Sequence, residues 1–149
     1  MATHRMLFTT NRLAIIDAAV ACVTMTASFA FRFDIGPALA HFVPQLIVAT
    51  MVAAAVKPAI YRLAGLYRIY WAYVGLREVF LAATAVTAAS LAVVLITAAV
   101  HGVGIVGPYP VSVFVLDWIA TLASIGLARA LVHYDLKARE TTTKSEAPS

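Results

Sequence analysis

Val79 to Val100 reads VFLAATAVTAASLAVVLITAAV, twenty-two residues without a single charge. A helix of that length rises about 33 Å, enough to cross the hydrocarbon core of a bilayer. Its small residues Ala85, Ala88, Ala89 and Ser90 permit close approach of another helix, while Thr84, Thr87 and Thr97 can hydrogen-bond their own backbone or a neighbour. The whole chain shares this character. Of its 149 residues 62% are hydrophobic and 12% charged, more apolar surface than a soluble core of this size can hide. The expected fold is therefore an all-α integral membrane protein.

Working outward, Leu13 to Phe31 forms a first apolar run of about 28 Å, behind a polar leader of residues 1–12. The rival reading is a cleaved signal peptide, because Ser28, Phe29 and Ala30 imitate a small-x-small cleavage site; the length of the run and Asp17 within it argue against cleavage. A second span is expected over residues 39–64, with Lys57 snorkelling to the interface and Pro58 marking a kink. A fourth is expected over 111–132, where Ala120 with Ser124 and Gly126 with Ala130 repeat a small-xxx-small spacing. The tail, HYDLKARETTTKSEAPS (133–149), is too polar to order itself. The spans are thus expected at 13–31, 39–64, 79–100 and 111–132, within one membrane domain covering 13–132.

Between the second and third spans lies KPAIYRLAGLYRIYWAYVGLRE (57–78), which gathers basic and aromatic residues. It reads as a cytoplasmic amphipathic hairpin, with Tyr67, Tyr70, Trp71 and Val74 at i, i+3, i+4 and i+7. Ten of the eleven Lys and Arg residues fall on the face shared by the leader, this hairpin and the tail; Arg32 alone falls on the other. Both termini are accordingly expected in the cytoplasm.

The net charge of +4 orients the chain in a membrane but forms no continuous basic face with stacking aromatics, so nucleic acid is excluded as a partner. With one cysteine, Cys22, neither an intrachain disulfide nor a multi-cysteine metal site is available. The GVGIVG of residues 102–107 matches a dinucleotide-binding fingerprint in letters alone. A span rather than a strand precedes it, and Pro108 and Pro110 follow, so it reads as an outer turn. No catalytic set, cofactor site or metal site emerges.

Asp17 and Asp117 are acids inside expected spans, where each costs about 2.5–3.5 kcal/mol on insertion scales and so requires a partner or a purpose. Depth suggests two interhelical pairs, Asp17 with Arg129 and Arg32 with Asp117, both of which need the first and last helices to be neighbours. Either the pairs fix helix register, or Asp17 serves a proton relay.

Several short motifs together resemble the N-terminal membrane domain of the bacterial membrane-bound nucleotide-sugar dehydratase and epimerase family of surface-polysaccharide biosynthesis. They are Asp17; Ala30, Phe31, Arg32 and Phe33; Gly65, Leu66, Tyr67 and Arg68 followed by Trp71, Tyr73 and Glu78; Pro110, Ser112 and Val113; and Asp117, Gly126 and Arg129. The chain departs from the pattern in having Pro110, Val111, Ser112 and Val113 where such domains tend to read Pro-Arg-Ser-Val. The family's enzymatic part is a cytosolic Rossmann domain after the fourth helix, and no position here corresponds to its catalytic or cofactor residues. The Gly-Leu-Tyr-Arg stretch also resembles the membrane part of polyprenyl-phosphate sugar-phosphate transferases. The resemblance implies a non-catalytic anchoring or scaffolding module at the bacterial inner membrane. Its implied partners are the bilayer, a separately encoded cytosolic nucleotide-sugar enzyme and a second copy of the chain. A small proton-coupled exporter using Asp17, or a structural membrane protein unrelated to glycans, are the alternatives from other classes.

Overall fold

The computed structural model describes residues 2–33, 36–68 and 75–127, all of them in helices and the turns between them. Helix α1 runs Ala2–Phe33, α2 Pro37–His41, α3 Val43–Leu63 and α4 Leu76–Gly102, with a 3-10 turn at Leu66–Arg68. Helix α5 covers Val111–Leu127. Three segments, Leu13–Phe33, Val43–Leu63 and Leu76–Gly102, are long and apolar enough to cross a membrane, and the described part of α5 is a shorter apolar helix.

The boundaries follow from local chemistry. No Gly or Pro interrupts residues 2–33, so α1 continues backward through the expected leader instead of starting near Leu13. The second expected span is divided at Phe42, because Pro44 in the first turn of α3 has no N–H with which to continue the ladder from α2. Phe42 fills the break by stacking on Phe33 at 4.2 Å between ring centroids. Helix α3 passes through Pro58 and ends at Leu63, and the chain turns away at Gly65, whose φ of +74° is open to glycine at little cost. Helix α4 begins at Leu76, where the Glu78 carboxylate accepts the Gly75 N–H at 2.9 Å. It ends in the GVGIVG segment: Gly104, with φ +80°, donates its N–H to the His101 carbonyl at 2.8 Å. A helix rather than a strand therefore precedes those glycines, as expected.

Helix α3 is the hub, packing on both α1 and α4. Its buried residues Gln45, Ala49, Ala53, Lys57 and Tyr61 recur every fourth position, a single ridge along one side. Helix α4 buries Ala82, Ala85, Val86, Ala89, Ser90, Val93 and Thr97 in the same manner, while Thr84, Thr87 and Thr97 return their hydroxyls to backbone carbonyls of their own helix. Two apolar clusters result. One joins Met25, Phe29, Ala49, Ala53, Val93 and Val113; the other joins Tyr61, Leu66, Ala82, Ala85, Val86 and Ala89. Outward, Ile15, Val23, Met51, Leu91, Leu95 and Ile119 stand exposed, the surface of a protein whose solvent is lipid. The chain is a helical membrane protein.

Candidate functional site: a buried lysine–aspartate centre

Between the two apolar clusters α3 places Lys57, four residues after Ala53 and four before Tyr61, on the buried ridge. Opposite it, α5 places Asp117. The ammonium lies 2.9 Å from Asp117 Oδ1 and 2.7 Å from Oδ2, and its third proton goes to Thr121 Oγ1 at 2.7 Å. The Thr121 hydroxyl donates in turn to the Asp117 carbonyl at 2.7 Å, which its position one turn further along α5 makes possible. From α1, Thr24 donates its hydroxyl to Asp117 Oδ1 at 2.8 Å. Three helices thus converge on one ion pair whose side chains are 1% and 2% exposed.

Such a pair stands only because its hydrogen bonds are filled. Removing two charges from water costs several kcal/mol per ion, which attraction at low dielectric recovers when the geometry is good and the remaining donors are satisfied. All three ammonium protons of Lys57 are used here. The arrangement fixes the rotation of α1, α3 and α5 about their own axes, since turning any one of them carries a polar group into hydrocarbon.

Two smaller polar contacts flank the centre. Toward the end of α3 the Tyr67 hydroxyl, in the 3-10 turn, donates to Asp17 Oδ2 at 2.6 Å and ties that turn to α1. Burial first, and then the bond to Asp17, raise the Tyr67 hydroxyl above the usual phenol range, so it remains a donor. At the opposite end of α1, Arg32 Nε donates to Ser112 Oγ at 2.8 Å near the start of α5. Asp17, Thr24, Ser28 and Arg32 therefore form a polar file on one face of α1. Thr24 and Arg32 reach α5, Asp17 meets the turn, and Ser28 bonds back to the Thr24 carbonyl at 2.7 Å.

These contacts correct two expectations. Asp117 does not pair with Arg32: Lys57, on the buried ridge of the hub helix, takes both carboxylate oxygens, and Arg32 is left at the exposed end with Ser112. Lys57 does not snorkel to the interface, because Asp117 and Thr121 neutralise and solvate it inside the bundle. The adjacency of the first and last helices, on which the expected pairs depended, is present in the Thr24–Asp117 and Arg32–Ser112 bonds. Arg129, expected opposite Asp17, lies outside the described residues, as do Tyr70, Trp71 and Val74 of the hairpin face and the tail. Gly65, Leu66 and Tyr67 form the turn after α3, with Leu66 buried. Arg68 closes the 3-10 turn, and Glu78 caps α4.

Sequence reading missed Lys57, Thr24 and Thr121. The signal was present in the four-residue spacing of Gln45, Ala49, Ala53, Lys57 and Tyr61, which puts the lysine on the small-residue face rather than the lipid face. Among the described residues no group of three or more His, Cys, Asp or Glu side chains could hold a metal ion. Compared with known protein families, curated proteins and solved structures, the chain matches none.

Proposed function

We propose that this chain is a four-span, non-catalytic membrane module with both termini in the bacterial cytoplasm. It anchors or scaffolds a separately encoded nucleotide-sugar enzyme of surface-glycan synthesis at the inner membrane. The observation that carries this reading is pairwise contact among residues of the resemblance: Tyr67 of the Gly-Leu-Tyr-Arg stretch bonds Asp17, fifty residues away, and Arg32 bonds Ser112, eighty away. Motif residues that meet across a fold form one constellation rather than scattered coincidences. The neutralised, hydrogen-bonded Lys57–Asp117 centre supports a static scaffold, since its exchangeable protons are committed to partners.

The test is fractionation. Nucleotide-sugar dehydratase or epimerase activity should sediment with membranes from cells carrying the intact chain and become soluble when the chain is deleted; unchanged distribution would sink the anchoring role. Alkaline phosphatase fused after Gly104 should be active and fused after Gly65 inactive, and the reverse pattern would refute the orientation.

A second reading, a proton-coupled exporter, is favoured by one observation: Asp17 is an acid near the bundle's end whose partner among the described residues is a neutral hydroxyl. Asp17→Asn discriminates. Loss of substrate efflux with unchanged protein level would establish transport, whereas the scaffold reading expects altered assembly and no efflux to lose.

A further inference from the structure

Helices α4 and α5 do not close on each other over the half nearest the 103–110 loop, and leave a groove of about 430 Å³ there. That volume lies within the range of small-molecule sites, about 300–1,000 Å³. On α4 the lining runs from Thr87 to His101, about 21 Å along the helix, so the groove spans one leaflet rather than the full membrane. Its inner end is barred by Trp118, whose indole N–H reaches from α5 to Thr87 Oγ1 on α4 at 3.2 Å. The wall between is carbon, supplied by Leu91, Val94, Phe114 and Val115 among others. At the loop end the lining is made by Tyr109 and by the exposed ring of His101, whose Nδ1 lies 2.9 Å from the Val106 carbonyl.

We propose that this groove binds one acyl chain of a phospholipid drawn from the leaflet on the loop side. The groove has the form of a single chain: an exposed imidazole at the loop end, then a hydrocarbon wall, then the Trp118–Thr87 bar near the middle of α4. The carbon wall takes the chain. A transmembrane helix of a second copy is a poor fit, because such a helix would continue past the Trp118–Thr87 bar while the groove stops there.

The two tryptophans are Trp71 and Trp118, so Trp71→Phe leaves Trp118 as the single reporter in the full chain. In nanodiscs, phosphatidylcholine brominated near the chain terminus should quench Trp118 at mole fractions below those that quench an annular tryptophan. Native mass spectrometry from detergent should show one retained phospholipid. Ala98→Phe, at an exposed position on the groove wall, should abolish the adduct and return quenching to the annular level. Ser90→Leu provides an independent block, since the buried Ser90 hydroxyl has no partner among the described residues. Wild-type quenching at the annular level overturns the proposal without reference to any variant. So does an adduct that survives both blocking substitutions, or a dimer in which Trp118 is shielded from bromine.

Discussion

Replacing Lys57 with Met removes the ammonium that holds Asp117 at 2.7 and 2.9 Å and leaves the carboxylate buried with the Thr24 hydroxyl as its side-chain donor. Breaking one side of a buried pair costs about 3–5 kcal/mol. Asp117→Leu should cost a similar amount, because Lys57 would keep the Thr121 hydroxyl alone. The double variant Lys57→Met with Asp117→Leu should behave differently. Thr121 still donates to the backbone carbonyl of residue 117, and Thr24 has the Ala21 carbonyl at 3.3 Å, so neither hydroxyl is orphaned. Exchange of a buried pair for apolar groups of similar volume is often neutral or stabilising by about 1–4 kcal/mol. The double variant should therefore approach wild type, with a coupling energy of about 3 kcal/mol or more between the two sites. The assay is reversible unfolding in mixed micelles by increasing sodium dodecyl sulfate mole fraction, followed by circular dichroism for all four proteins. A Lys57→Met curve that overlays wild type, or a double variant as unstable as the sum of the singles, would refute the argument.

Tyr67→Phe removes a charge-assisted hydrogen bond of about 1.5–3 kcal/mol, and hydrogen exchange should report faster opening of the turn at Leu66–Arg68 while the middle of α3 keeps its protection. Gly65→Ala forces a side chain into a left-handed conformation at a cost of about 1–2 kcal/mol, read as a lower unfolding midpoint; Gly102→Ala, at an open helical position, should be neutral or better. Arg32→Ala breaks an exposed bond to Ser112 and should shift the midpoint by less than about 1 kcal/mol, well below the Lys57 variant.

The helical, membrane-spanning character was legible because it depends on one-dimensional properties: the uncharged run of Val79 to Val100 and the absence of breakers through α1. Helix ends were legible where glycine was read as closing a helix, at Gly65 and in the GVGIVG segment at Gly104; α4 begins at Leu76, three residues before the expected Val79, and the break at Phe42 went unread because it comes from a missing N–H two residues later. The polar interior was half legible. That Asp17 and Asp117 need partners follows from the cost of burying an acid, but choosing the partner by depth alone favoured Arg32 over Lys57. A lysine fourteen residues into α3 can escape to an interface or turn inward, and the choice rests on which face of α3 meets α5. That is a property of three helices at once, carried in the sequence only by the spacing of small residues around Lys57.

The Lys57–Asp117 bond also imposes an order on biogenesis. The partners are separated by 60 residues, so at a synthesis rate of about 5–20 residues per second the lysine emerges roughly 3–12 s before its counterion. Throughout that interval the nascent chain carries an unneutralised cation within an otherwise apolar segment, and α5 in its turn carries an acid that hydrocarbon alone would reject. Each helix is thus costlier to bury by itself than in the other's company. The polar centre of the bundle is complete only once α5 arrives, and a chain arrested before Asp117 would hold its lysine uncompensated.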